Sequence, residues 1–159
     1  MHIVSETPKI QPTGVLQPFD VQVISGPLAV RTALQMVFDR LTPLALEVEE
    51  TSTVELVLAE ALNNIVEHAY PLPDASGPIH LHLRQGPDGL HVRLRDWGRE
   101  MTDVKTPDGR AECCNVDLMD LPEGGFGWFL IKDLSRDVKY ERIDGRNQLE
   151  LRIAVAFRN

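Results

Sequence analysis

Thr53-Val54-Glu55-Leu56-Val57-Leu58-Ala59-Glu60-Ala61-Leu62-Asn63-Asn64-Ile65-Val66-Glu67-His68-Ala69-Tyr70 is the stretch on which the fold turns. Val54, Leu58, Ala61, Leu62, Ile65 and Ala69 recur at the 3.6-residue period and line one side of a helix. The pattern predicts a helix from Glu47 to Tyr70, stopped by Pro71 and Pro73. Thr51, Ser52 or Thr53 can cap its start, because hydroxyl oxygens accept bonds from the free amides of a first turn. Glu60 and Asn64 lie four residues apart, hence stacked on one face beside the apolar stripe. An acid and an amide at the edge of a core suit a nucleotide site. The carboxylate can take a proton from an attacking hydroxyl, and the amide oxygen is a hard ligand suited to Mg²⁺. The same pair on a solvated helix face would carry no chemistry, and spacing alone does not separate the two.

Working outward, Ile79 to Arg84 and Leu90 to Asp96 form a hairpin around Gly86-Pro87-Asp88-Gly89. With Arg84 opposite His91, one face carries Ile79, Leu81, Leu83, Val92, Leu94 and then Asp96. The other carries His80, His82, Arg84, His91, Arg93 and Arg95. A carboxylate that continues an apolar face needs a donor. An adenine amino group is one candidate for Asp96, the amides of the next turn are another, and Gly98 permits close approach. Upstream, Leu16 to Ser25 alternates as a strand, and Pro27 opens a helix reaching about Leu41. Downstream, Trp97 to Glu123 is a long polar stretch of the kind that is usually functional or mobile. Gly124-Gly125-Phe126-Gly127 then opens a helix running to Arg136; its glycines can turn backbone amides toward an anion or serve as a hinge. Val138 to Ile143 and Gln148 to Phe157 close the chain as a hairpin around Asp144-Gly145. Three helices and about five strands predict an α+β, two-layer sandwich: a mixed sheet with the helices on one face. Residues 15–159 read as one domain and 1–14 as a flexible tail.

Composition narrows the function. Sixteen Lys and Arg against 24 Asp and Glu give a formal charge of −8, which argues against direct nucleic-acid binding. No apolar run reaches the roughly 18 residues of a membrane span, and the start lacks a secretory pattern. Cys113 and Cys114 are adjacent and make no disulfide framework, which fits a reducing, cytoplasmic setting. His80, His82 and His91 could gather as metal ligands, but with three arginines beside them they read as a solvated face. His68 reads as structural, and Trp97 and Trp128 as packing residues.

In order along the chain, these pieces resemble one family. Glu60 to Tyr70 resembles the N box of GHKL (Bergerat-fold) ATPases, and more closely that of the anti-sigma-factor serine/threonine kinases. Asp96-Trp97-Gly98 is similar to their Asp-x-Gly box, and Leu121 to Ile131 to their second glycine box. The resemblance covers roughly Phe19 to Phe157. It implies ATP and Mg²⁺ as cofactors. Glu60 is then the general base, Asn64 the Mg²⁺ ligand and Asp96 the acceptor for the adenine amino group, with Gly98 beside the base. Gly124, Gly125 and Gly127 border the phosphates, and Arg99 to Glu123 is the ATP lid. It implies phosphorylation of a STAS-domain anti-anti-sigma protein, capture of a sigma factor, and a homodimer. Two positions differ from the family pattern: Glu100 stands where a glycine is frequent, and Asn147-Gln148 replaces a Gly-Thr pair. Two other functions remain possible: a nucleotide-binding module that sequesters partners without transferring phosphate, and an adaptor that uses the His/Arg sheet face.

Overall fold

The structure is a computed structural model and describes residues 15–101 and 125–156. The elements run β1 (Phe19–Ile24), α1 (Ala29–Leu41), a short 3₁₀ turn (Thr42–Leu44) and α2 (Val48–Asn64). A π-helical turn (Ile65–Ala69) prolongs α2, and β2 (Pro78–Gly86), β3 (Gly89–Asp96), α3 (Gly125–Leu134), β4 (Arg136–Ile143) and β5 (Arg146–Ile153) follow. The five strands form one sheet in the order β1-β2-β3-β5-β4. Every pairing is antiparallel. The expected α+β layering is therefore present, but the sheet is antiparallel where a mixed one was expected. Two tight hairpins, β2–β3 and β4–β5, impose that direction on most of it.

Alternation decides which face is buried. Phe19, Val21 and Val23 of β1, Ile79, Leu81 and Leu83 of β2, and Leu149, Leu151 and Ile153 of β5 all point inward. They meet Ala33 and Val37 of α1, Val54, Leu58 and Leu62 of α2, and Ile131 of α3 in one core. The first strand is shorter than its alternation suggested, and β5 ends at Ile153. Phe157 lies outside the described residues, as do the 1–14 segment, Cys113, Cys114, Gly124 and the stretch beyond Met101.

The start of α2 departs from expectation. Thr51, Ser52 and Thr53 do not cap it; Ser52 and Thr53 sit inside the helix and donate back to the carbonyls of Val48 and Glu49. The cap is Glu47, in a reciprocal box with Glu50, whose carboxylate accepts from the Glu47 amide at 3.2 Å. Glu49 and Glu50 in the first turn also complement the helix dipole.

The β2–β3 register follows the sequence reading. Arg84 opposes His91, Ile79 opposes Asp96, and Gly86 opposes Gly89 across a two-residue turn. Gly89 has φ +137°, and a Cβ there would run into the carbonyl oxygen of Ile153. Gly89→Ala should therefore lower unfolding free energy by about 1–3 kcal/mol, read as a lower urea midpoint with unchanged slope. An unchanged midpoint would mean that the β3–β5 contact yields freely.

Candidate functional site

The second half of α2 supplies the first part of the site. Glu60 is half-buried and Asn64 only 6% exposed, so both lie at the border of the core. The first turn of α3 closes over them. A Cβ on Gly127 would fall 2.7 Å from Glu60 Oε2 and 3.5 Å from Asn64 Oδ1. Glycine thus leaves a cradle between the helices that any side chain would fill. The Nδ2 of Asn64 is buried without a hydrogen-bond partner among the described residues. Leaving a buried amide unpaired costs about 1–3 kcal/mol, so the position is built to meet something.

Asp96 supplies the second part. It is 1% exposed and ends the inward face of β3. Its Oδ1 accepts from the Gly98 amide at 2.9 Å and from Asn147 Nδ2 at 2.8 Å. Both bonds fall on Oδ1, so among the described residues Oδ2 is left for an outside donor. Burial pushes the carboxyl above its ordinary pKa, against the pull of Asn147, Gly98 and Arg142.

Asn147 was read only as a departure from a family pattern, yet it organises this end of the site. It is Asp96's direct cross-strand partner. Nδ2 also donates to the Arg99 carbonyl at 2.7 Å, while Oδ1 accepts from Tyr140 Oη at 2.6 Å and Arg142 Nη1 at 2.7 Å. All four bonds available to an amide side chain are made. The signal was in the sequence: Asn147 has the parity of Leu149, Leu151 and Ile153, so it faces inward where Asp96 does. Asn147→Leu should cost about 1–3 kcal/mol, measured by urea unfolding, because it strips Asp96 of a buried donor. A loss no larger than a surface substitution would show Asp96 to be held by Gly98 alone.

A short junction ties the two parts together. Tyr70 Oη accepts from the Trp97 amide at 2.7 Å and donates to the Pro78 carbonyl at 2.9 Å. The Ala69 carbonyl accepts from the Arg99 amide at 2.8 Å. Burial pushes the Tyr70 and Tyr140 hydroxyls up, so both stay protonated donors. Gly98 matters here for packing: a Cβ would collide with the Ala69 carbonyl. The close approach it permits is to the end of α2.

Among the residues singled out by sequence, Glu60, Asn64 and Gly127 come together, and Asp96 and Gly98 join them through this junction. Gly125 starts α3, and Gly124 lies outside the described residues. His68 is exposed, 3.9 Å from Glu67. His82 bonds Asp20 at 2.9 Å, His91 bonds Asp88 at 2.6 Å, and His80 meets Trp97 edge-on with centroids 4.9 Å apart. No helix among the described residues is long and apolar enough to cross a membrane.

The residues fit a nucleotide with its metal ion: an open Asp96 carboxylate oxygen for a base amino group, a buried Asn64 Nδ2 donor for a phosphate oxygen, and the Asn64 Oδ1, a hard ligand, near the Glu60 acid under a glycine-entered helix. Residues 25–153 match the family described as histidine kinase-like ATPase domain. The serine/threonine-protein kinase BtrW of Bordetella bronchiseptica is 35% identical over 101 residues, 62% of this chain and 67% of that protein. The serine-protein kinase RsbW of Halalkalibacterium halodurans is 28% identical over 99 residues, 61% of this chain. The chain spans 59% of that protein's length. The crystal structure of the RsbU and RsbW domains of Rv1364c from Mycobacterium tuberculosis superposes on 87% of this chain and 32% of its own, with a TM-score of 0.60 and 15% identity, a likeness of fold. The chain belongs to the histidine kinase-like ATPase domain family, among its RsbW-like members.

Proposed function

We propose that the protein is an ATP-dependent serine/threonine kinase and anti-sigma factor, acting in the cytoplasm as a homodimer. Its substrate is a STAS-domain anti-anti-sigma protein, and the partner it holds in turn is a sigma factor. The observation that carries this reading is the meeting of the Glu60 carboxylate and the Asn64 side-chain oxygen under Gly127. A module that only held nucleotide would have no need of the carboxylate.

In the proposed reaction Glu60 takes the proton of the partner's serine or threonine hydroxyl. That oxygen forms a bond to the γ-phosphorus, and the bond from phosphorus to the β–γ bridging oxygen breaks, releasing ADP. Mg²⁺, when bound, offsets the charge spread over the phosphate oxygens, and Asn64 is the residue that would hold it. Asp96 Oδ2 accepts from the adenine amino group, with Gly98 beside the base. Gly125 and Gly127, with Gly124 before them, keep side chains away from the phosphates, so that the amides of the first turn of α3 can face them. Positioning by these groups carries most of the catalysis.

The test is transfer of label from γ-labelled ATP to a STAS-domain protein encoded beside this chain, with calorimetry of Mg-ATP in parallel. Label on a STAS serine or threonine supports the kinase. Nucleotide binding without transfer supports the sequestering module instead. No heat of binding would point to the adaptor and remove ATP from the account.

A further inference from the structure

The opposite side of the molecule carries a second feature that the nucleotide site does not use. The chain has a formal charge of −8, and its helices hold much of the negative charge, with Glu47, Glu49, Glu50, Glu55, Glu60 and Glu67 all on α2 and its ends. The outward face of the sheet is rich in cations, with the carboxylates of Asp20, Glu141 and Glu150 set among them. Alternation places Arg84 of β2, Arg93 and Arg95 of β3, and Arg146 of β5 on it. Two other cations there are matched: Lys139 pairs with Glu141 at 2.8 Å, and Arg152 with Asp137 at 2.9 Å. None of the four arginines is in a close ion pair with a described carboxylate, although Glu150 stands directly across the strands from Arg93. Arg84 reaches only the His91 ring at 3.2 Å, and Arg95 only the neutral Gln148 amide at 2.8 Å. Arg146 Nε is buried without a hydrogen-bond partner among the described residues.

This arrangement is unfavourable in the free protein. Arg93 and Arg146 flank Arg95, and like charges so placed repel. Burial and these two neighbours hold the Arg95 guanidinium below its ordinary pKa. Beside the stripe, His82, Arg84, His91, Arg93 and Glu150 line a depression of about 270 Å³ over the strand backbone at Val92 and Leu151.

We infer that the Arg93–Arg95–Arg146 stripe on the outer sheet face is a docking surface for an acidic, extended segment of a protein partner. Arg93 and Arg95 stand two residues apart on one strand, about 6.7 Å, which matches carboxylates at alternate positions of an extended peptide. Guanidinium forks bind carboxylates with two parallel bonds, and such a partner supplies the acceptor that Arg146 lacks. A nucleic acid fits less well, because a long polyanion meets more of the chain's −8 charge than a short acidic segment does. This surface is separate from the Glu60–Asn64–Asp96 site, so the inference stands whether or not the chain is a kinase.

The probe is a fluorescently labelled peptide of about ten residues alternating Glu and Ser, titrated into the full chain at low salt and followed by anisotropy. The double variant Arg95→Gln, Arg146→Gln should weaken binding about tenfold, while Arg31→Gln on α1 leaves it unchanged. Removing crowded charges should also leave the thermal midpoint equal to or above that of the parent. No peptide binding, equal binding by the double variant, or a loss that tracks a lower midpoint would each overturn the inference. Tighter binding of single-stranded DNA of the same charge would assign the face to nucleic acid. Self-association abolished by the double variant would assign it to the acidic helices of a second copy.

Discussion

Replacing Glu60 with Gln should slow phosphate transfer to a STAS substrate about 10²–10⁴-fold, while Mg-ATP affinity stays within about threefold. Gln preserves shape and removes only the capacity to take a proton. Glu60 is half-buried beside Gly127 and outside the apolar core, so the fold should not register the change. The effect belongs in kcat, with KM for ATP nearly constant, because the lost interaction exists only as the hydroxyl is deprotonated. Single-turnover assays at saturating ATP would read it directly. Undiminished transfer would remove Glu60 as the base; a parallel loss of affinity would make it a binding group.

The second large effect is at Asp96. Asp96→Asn should weaken nucleotide binding about 100-fold, since an amide turned toward an adenine amino group sets donor against donor in a buried place. Stability should move the other way. Burial raises the folded-state pKa of Asp96, so protonation is easier folded than unfolded. The stability tied to the protonated form is fully present below the ordinary carboxylate pKa. It is lost as pH rises through the raised folded value. Asn removes that dependence, so the variant should gain on the wild type between pH 4 and pH 8, compared by urea unfolding at both ends. The opposite slope would mean that the bonds from Gly98 and Asn147 outweigh desolvation.

Much of this site could be read in the sequence because its members lie within regular elements. Glu60 and Asn64 sit on a helix whose period is clear. Asp96 ends a hairpin whose tight turn fixes the register, so its burial followed from counting. Residues whose role depends on another strand were harder to read. Asn147's parity was available, but its four bonds depend on β5 pairing with both β3 and β4, which local pattern does not give. Tyr70 was visible as the end of a motif; that its hydroxyl holds Trp97 and Pro78 depends on loop geometry. The Glu47–Glu50 cap was missed because hydroxyl residues stood nearby and hydroxyls are the commoner cap. A period averaged over the helix also hides a single residue of widening at its end.

That widening, the π turn from Ile65 to Ala69, amounts to one residue more than an α-helix would need there. The Tyr70 amide reaches back five residues to the Ile65 carbonyl. The extra residue swings the Ala69 carbonyl toward Arg99 and Tyr70 toward Pro78. In lineage terms, deleting one residue from this turn would make a more regular helix and separate the junction that joins Asp96 to α2. Descendants of this sequence can vary the exposed side chains of the turn, but not its length.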